Sequence, residues 1–394
     1  MKKTIRDFDL RGKRVLIRVD FNVPLDKSLS VTDDNRIRAS LPTIQYALDH
    51  GAKVILMSHL GRPDGKPVSS MSLSPASKRL SELIKKDVIQ CSDCIGSRVK
   101  DELSVLNGVK SVAVLENLRF YPDEEKNGAD FARKLAENGD IYINDAFGSS
   151  HRAHASIDAV TKFLPSGAGF LLEKEIQYLG DAMQRPKKPF VAILGGSKVS
   201  DKIGVVENLI AKVDRILIGG AMAYTFLKVQ GIEIGDSKYE KDKLDLEKSI
   251  LEKAKQAKVD ILLPVDHVSV QKVDAAAPTR VEGPGIGTGR FGVDIGPKTV
   301  ELFCQTLDTA RTVIWNGPMG IFEMAPFANG SREIALKLSR LKDAVTVIGG
   351  GDTAACVIGF GLDQQMTHIS TGGGASLEYL EGKALPGITA LSER

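Results

Sequence analysis

A short β-branched or apolar run, then a polar or glycine turn, then residues at helical spacing: this unit recurs from Val15–Val19 to His368–Ser370. It is the pattern of parallel strands joined by crossover helices, because parallel neighbours need a long connection and that connection covers a face of the sheet. The repeat therefore predicts an α/β fold. Two sets of runs are visible. Val15–Val19, Val54–Met57, Val112–Leu115 and Ile141–Ile143 lead into segments carrying charged side chains, whereas Phe190–Leu194, Ile216–Ile218, Val313–Trp315, Val345–Ile348 and His368–Ser370 lead into glycines. At 394 residues the chain exceeds a single core, since cores stop growing beyond ~250–300 residues. Two doubly wound, Rossmann-like parallel-sheet lobes are expected. Between the sets, Leu172, Ile176, Leu179 and Met183 recur at helical spacing until Pro186 and Pro189, so Leu171–Arg185 reads as a connecting helix. The expected layout is 1–170, a linking segment 171–186, 187–376 and a tail 377–394.

Composition excludes several function classes. With 53 basic against 50 acidic residues, a net charge of +3 supplies no field that argues for nucleic acid or a membrane surface. Anion binding must come from local clusters. Thr4–Leu10 shows no apolar leader, and no uninterrupted apolar run reaches ~18 residues, so a cytoplasmic protein is expected. Cys91 and Cys94 form a C-x-x-C, but Cys304 and Cys356 lie far apart; reduced thiols are expected rather than a structural metal.

In open α/β sheets ligands sit at the carboxyl ends of strands, which directs attention to the residues after each run. Val345–Ile348 passes through Gly349-Gly350-Gly351 into Asp352-Thr353-Ala354-Ala355, where backbone N–H groups at a helix start would meet a phosphate unobstructed by Cβ atoms. Asp352 reads either as a helix N-cap or as a carboxylate beside a phosphate-bound Mg²⁺. Thr371-Gly372-Gly373-Gly374 repeats the geometry. Gly195-Gly196-Ser197-Lys198 reads as a turn opening a helix, with Lys198 and Lys202 at i and i+4 on one face; without G-x-x-x-x-G-K-[ST] it is no Walker loop, and the alternative is a pair of surface lysines.

In the first half Arg36, His59, Arg62, Arg119 and Arg152 lie in or near the strand-end segments, with Asp20 and Asn22 available for hydroxyl recognition. Converging arginines suit a compact phosphate or carboxylate ligand, although each alone could be solvated. His151-Arg152-Ala153-His154 has H-x-x-H spacing but no further ligand to complete a metal set. Gly287–Gly292 matches G-x-G-x-x-G yet leads to Asp294-Ile295-Gly296-Pro297 instead of a helix, which fails the dinucleotide-binding context. In the charged stretch Tyr239–Lys258, Leu244, Ile250, Leu251 and Ala254 keep to one side, so its lysines and glutamates read as a solvated face.

Taken in order, Arg18–Pro24, Ser58–Pro63, Glu116–Phe120, Asn144–Ser156, Gly195–Lys202, Trp315–Gly320 and Gly349–Thr353 resemble the phosphoglycerate kinase family over the whole chain. The resemblance implies a hinge-bending kinase of two lobes. Its reaction would be reversible phosphoryl transfer from 1,3-bisphosphoglycerate to MgADP, giving 3-phosphoglycerate and MgATP in glycolysis and gluconeogenesis. It implies phosphoglycerate binding at Asp20, Asn22, Arg36, His59, Arg62, Arg119 and Arg152, with Phe21, Leu60 and Gly61 completing those segments. Lys198 and Lys202 would hold nucleotide phosphates, Glu323 the ribose, and Gly350, Gly351, Asp352 and Thr353 the phosphate-binding helix start, with Asn316 close by. Asp352 would also face Mg²⁺. Gly219, Gly220 and Gly292 would line the adenine pocket. A monomer is implied, as is a tail that returns to the first lobe. Arg36, Lys198 and the N–H groups of Gly350, Gly351 and Gly373 are the expected stabilisers of the moving phosphoryl group. Anion sites on separate lobes would require closure. A nucleotide-regulated scaffold without turnover would lack Arg36, Lys198, Lys202 or Asp352, and all are present.

Overall fold

Strands β1 (Arg14–Arg18), β2 (Lys53–Met57), β3 (Val88–Gln90), β4 (Val112–Val114), β5 (Ile141–Asn144) and β6 (Ser166–Ala168) hydrogen-bond in the order β3-β4-β2-β1-β5-β6. Every pairing in this sheet is parallel. Both faces are covered, which is why Val15, Leu16 and Ile17 are all fully buried and the strand reads as a continuous apolar run rather than an alternating one. The computed structural model describes residues 1–107 and 111–394, and in it the sheet belongs to a unit made of Met1–Gln177 and Ala384–Arg394. β3 and β6 had no sequence signal: three residues each, one ending in Gln90 and the other Ser-Gly-Ala, are too short for periodicity to register.

The second unit, Tyr178–Lys383, holds β7 (Phe190–Leu194), β8 (Arg215–Ile218), β9 (Asp260–Leu262), β10 (His267–Val270), β11 (Arg280–Glu282), β12 (Phe291–Ile295), β13 (Thr312–Asn316), β14 (Val345–Gly349) and β15 (His368–Ile369). Six of these form a parallel sheet in the order β15-β14-β13-β7-β8-β9. The other three make a small antiparallel sheet, β11-β10-β12. Gly292 of the G-x-G-x-x-G segment lies within β12, on that antiparallel sheet, so the segment is no dinucleotide loop.

In each large sheet a central strand brings three turns together. β1 lies between β2 and β5, so the turns after Arg18, Met57 and Asn144 are neighbours; β7 lies between β8 and β13, which does the same for those after Leu194, Ile218 and Asn316.

The helix Phe170–Gln184 contains the boundary between the units, at Gln177 and Tyr178. At the far end, the helix Gly374–Leu380 belongs to the second unit, where Asn208 Nδ2 donates to the Leu380 carbonyl at 2.6 Å. Ala384–Arg394 belongs to the first unit: Lys3 N donates to Ser392 O at 2.8 Å, and Asn144 Nδ2 to Gly387 O at 2.8 Å.

The charged stretch is not wholly a solvated face. Glu247, in the helix Leu244–Gln256, is fully buried, because its i, i+3 and i+7 relation to Ile250 and Ala254 turns it inward with them. Neither carboxylate oxygen has a hydrogen-bond partner among the described residues. Burial, then the nearby Glu240, pushes its pKa up to about 8. A raised carboxyl pKa opposes folding once the unfolded chain ionises, so the cost appears as pH rises through the ordinary Glu range and is complete above about 8. Glu247→Leu should therefore stabilise this unit by about 2–4 kcal/mol at pH 8.5 and by little at pH 4. Denaturant unfolding read by Trp315, the single tryptophan and a core residue of the same unit, checks this. A pH-independent difference would sink the explanation.

Candidate functional site

The first group of strand-end residues is organised around a buried guanidinium. Arg18 closes β1 and is only 1% exposed, and each of its three guanidinium nitrogens is engaged: Nε with Ser156 Oγ at 2.9 Å, Nη1 with Val19 O, and Nη2 with His59 Nδ1 at 3.1 Å. A guanidinium can only donate, so His59 Nδ1 must accept and the ring proton sits on Nε2. Burial, with Arg18 and Arg119 beside it, also holds the imidazole well below its ordinary pKa. His59 is thus a neutral donor. Its ring-proton NMR shifts should stay flat between pH 5.5 and 8; a midpoint near 6.5 would contradict this geometry.

Ser156 links Arg18 to a buried acid. Its N and Oγ donate to Glu124 at 2.9 and 2.6 Å, and Glu124 is fully buried. Burial raises the Glu124 pKa while Arg18 and the Ser156 bonds oppose the rise. His154 Nδ1 lies 3.9 Å from Glu124 Oε1, and burial followed by the neighbouring arginines lowers its pKa to about 4. The H-x-x-H spacing therefore splits between a neutral buried His154 and a His151 whose Nε2 accepts from Arg152 Nε at 3.2 Å. Among the described residues no cluster of three or more His, Cys, Asp or Glu could hold a metal ion.

Around this core the expected residues assemble unequally. Arg36, in the first turn of the helix Asn35–Asp49 and half-exposed, pairs with Asp20. Asn22 Oδ1 accepts from Gly61 N at 2.9 Å, and Arg119 Nη1 donates to Gly61 O at 2.8 Å, so both hold the turn in which Gly61 takes φ +65°. Arg36, Arg119 and His154 act electrostatically on His59, and Arg152 on Arg119, which marks one basic cluster. Arg62 is exposed on the loop beyond Gly61. Phe21 and Leu60 bury their side chains, and their N–H groups are spent within the protein: Phe21 N donates to Ser58 Oγ at 2.8 Å, and Leu60 N to Asn117 Oδ1 at 3.2 Å. Sequence reasoning passed over Arg18, Glu124, His154 and Ser156 as a network. A signal existed in Arg18, a charge inside an apolar strand run, which must be paired when buried.

In the second unit three glycine turns close on one another. Gly195 N donates to Asn316 O at 3.0 Å, Gly196 N to Pro318 O at 2.9 Å and Gly220 N to Met319 O at 3.0 Å. A Cβ on Gly195 would come within 2.2 Å of Pro318 O, and one on Gly292 within 1.8 Å of the Tyr224 hydroxyl. Glycine is required here by close approach. A partly open cavity of about 400 Å³ beside these turns is lined by Gly220, Tyr224, Phe291, Met319, Glu323 and Asp352 among others. Tyr224, Phe291 and Met319 supply its apolar wall; Met319 falls in the Trp315–Gly320 block and Phe291 in the G-x-G-x-x-G segment, whereas Tyr224 belonged to no motif. Two larger grooves, about 850 Å³ beside Ser28–Arg38 and about 760 Å³ beside Lys255–Leu262, hold none of the expected residues.

The lysines are arranged differently from the sequence expectation. The helix runs Ile203–Ile210 with Lys202 as its N-cap, so Lys198 and Lys202 lie in the turn before it rather than on one helical face. Glu240 Oε2 accepts from Val199 N at 2.6 Å and Ser200 N at 2.9 Å, which ties those N–H groups outside any helical ladder. Lys198 is exposed, whereas Lys202 folds back until its Nζ lies 3.8 Å from where a Gly196 Cβ would be. Burial lowers the Lys202 pKa against the pull of Asp201 and Asp352, which places Asp352 within its electrostatic reach.

Gly350, at φ +85°, is the N-cap of the helix Gly351–Gly359, and Asp352 sits in the first turn facing the cavity, so the N-cap reading of Asp352 does not hold. Thr353 is buried, its Oγ1 accepting from Gly317 N at 2.6 Å. Asn316 is buried beside the Gly349-Gly350 turn, and its Nδ2 has no hydrogen-bond partner among the described residues. Gly373, at φ +52°, caps the helix Gly374–Leu380 with open space around its Cα.

Comparison with known proteins agrees with this layout. The family profile described as phosphoglycerate kinase matches residues 5–383. The chain is 53% identical to a phosphoglycerate kinase of Dictyoglomus turgidum over 397 aligned residues, covering 100% of both chains, and 56% identical to one of an Anaeromyxobacter species, covering 99% of each. Among solved structures it resembles phosphoglycerate kinase from Coxiella burnetii, with a TM-score of 0.90 and 39% identity over 99% of this chain and 98% of that one. That from Pyrococcus horikoshii has a TM-score of 0.81 and 32% identity over the same shares. Two parallel-sheet units, turns of this kind and full-length similarity together show that the chain belongs to the phosphoglycerate kinase family.

Proposed function

We propose that the family's phosphoryl transfer to and from a carboxyl group is carried out in this chain by the strand-end residues of its two units, phosphoglycerate being held by the first and nucleotide by the second. The reaction interconverts 1,3-bisphosphoglycerate and MgADP with 3-phosphoglycerate and MgATP. A carboxylate is already a competent nucleophile, so no general base is needed and the protein's task is alignment and charge neutralisation.

In the first unit Arg36, Arg119, Arg152 and exposed Arg62 would meet the anionic groups, His59 would donate from Nε2, and Asp20 and Asn22 would orient hydroxyls while fixing Arg36 and the Gly61 turn. In the second, Gly220 and Gly292 would line the adenine pocket with Gly219 behind them, Glu323 at its rim would take the ribose, and Lys198 and Lys202 the phosphates. N–H groups of Gly350, Gly351, Thr353 and Gly373 would join the lysines. Mg²⁺ arrives with the nucleotide as part of the substrate, and Asp352 is the carboxylate that would face it, one carboxylate being typical for phosphate-bound Mg²⁺.

The observation that carries the nucleotide assignment is Asn316 Nδ2: a buried donor without a partner among the described residues, beside the Gly349-Gly350 turn that leads into cavity-lining Asp352, invites an acceptor such as a phosphate oxygen. The same reading has the chain working as a cytoplasmic monomer on small molecules, not on nucleic acid or membranes; no helix among the described residues is long and apolar enough to cross a membrane. A coupled assay for 1,3-bisphosphoglycerate formation from ATP and 3-phosphoglycerate tests the reading. Activity no higher than that of a Lys198→Ala control would overturn it.

A further inference from the structure

The hydrogen bonds of the Glu240 carboxylate go to Val199 and Ser200, which do not line the cavity, yet Glu240 is joined to two of the turns that build the proposed nucleotide half-site. Its Oε2 accepts from Val199 N at 2.6 Å and Ser200 N at 2.9 Å, directly after Lys198 and within the turn that ends at Lys202. Its own N donates to Thr225 Oγ1 at 3.1 Å, and Thr225 is buried in the helix Ala223–Val229 that follows the Gly219-Gly220 turn. The carboxylate is not a cap of the next helix, which begins at Ile203 and has Lys202 as its N-cap. Its ligands lie three and four residues earlier. Val199 itself is fully buried, so the turn is pinned by a side chain below and a carboxylate at its backbone, leaving exposed Lys198 next to a fixed point.

We propose that Glu240 is a positioning residue for nucleotide turnover, clamping the Lys198–Lys202 turn to the turn after β8 so that both ammonium groups are presented at a set depth. This rests on the nucleotide reading above. Burial works against the Glu240 charge, but the hydrogen bonds from Ser200 and Val199 outweigh it and hold its pKa below the usual Glu range, as a carboxylate engaged by backbone N–H groups should be. A displacement of about 1 Å in a positioning group can cost up to ~10²-fold in rate, so loss of the clamp should be visible in kinetics.

Glu240→Ala is expected to raise KM for MgATP about 10-fold or more and lower kcat, with KM for 3-phosphoglycerate within about 2-fold of the parent. Glu240→Gln keeps an oxygen that can accept both N–H groups and should return KM for MgATP to within about 3-fold. Unchanged kinetics in Glu240→Ala would overturn the proposal, as would parallel changes in both KM values accompanied by a lower Tm, or equal damage from Gln and Ala. Should the alanine variant fail to fold, Thr225→Val removes the other end of the clamp at nearly constant volume. It should raise KM for MgATP alone, and an unaltered KM for MgATP would again overturn the idea. Lys198→Ala, run in parallel, separates the readings. If it is inactive while Glu240→Ala is normal, only the clamp fails; if it is fully active, the nucleotide assignment itself fails.

Discussion

Replacing Lys198 or Arg36 by alanine is expected to lower kcat by about 10²–10³, equivalent to roughly 3–4 kcal/mol of transition-state stabilisation for each cation on the proposed assignment. The size follows from the chemistry. With a carboxylate as nucleophile there is no proton transfer to catalyse, so the barrier is lowered chiefly by groups that neutralise charge on the moving phosphoryl group, and removing one cannot be offset by a neighbouring base. Arg36 carries a second effect: it pairs with Asp20, and its loss leaves that carboxylate unpaired inside the basic cluster, where it repels an anionic substrate. Arg36→Ala should therefore also raise KM for 3-phosphoglycerate, and Asp20→Asn in the same chain should recover part of that increase. Lys198 is exposed, and its removal should leave KM for 3-phosphoglycerate unchanged. Steady-state kinetics with each substrate varied distinguishes the two patterns, and turnover within about 3-fold of the parent in either variant would remove that residue from the catalytic set.

Arg18→Met is expected to destabilise the first unit by about 3–5 kcal/mol. Methionine approximates the volume of the arginine stem, so the loss is not a cavity effect. It arises because Glu124, fully buried, keeps its bonds from Ser156 but loses the neighbouring positive charge. The Glu124 pKa, already raised by burial, must climb further in the variant. A carboxyl whose folded pKa lies above its unfolded one costs stability above the unfolded value and regains it as pH falls, so the deficit of Arg18→Met should shrink on acidification. Adding Glu124→Gln should recover much of the deficit at pH 7, whereas independent sites would give additive losses. Trp315 lies in the second unit, so far-UV circular dichroism is the suitable probe here. A loss below about 1 kcal/mol would show that the guanidinium is not what balances Glu124. With the Arg18 charge gone the His59 pKa should move upward, while burial, the larger cause, continues to hold it below its ordinary value.

Much of the site was legible because strand-end chemistry is written locally. Asp20, His59 and Arg119 follow apolar runs, and the Gly349-Gly350-Gly351 turn leads directly into helical residues, so residue type and position sufficed. Two readings went astray, and one of two alternatives was excluded. The Lys198–Lys202 spacing fits a helix, but Glu240, some forty residues onward, captures the Val199 and Ser200 N–H groups and keeps that segment in a turn. Glu247 looks solvated by composition, yet its position relative to Ile250 turns it inward. For Asp352, read either as an N-cap or as a carboxylate facing Mg²⁺, the N-cap alternative falls because Gly350, at positive φ, already occupies that place.

What the sequence by itself determined is the α/β class, the split into an arginine half and a glycine half, and which strand-end segments carry the candidate ligand-facing residues, since these depend on periodicity and on what immediately follows each strand. Only the tertiary structure decided how those residues are held. Arg18, Ser156 and Glu124 are 138 and 32 positions apart along their two links, and Glu240 reaches Val199 across 41. Such contacts leave no local pattern, because a buried charge finds its partner wherever the chain happens to return, and its desolvation cost, not its neighbours in sequence, dictates the pairing.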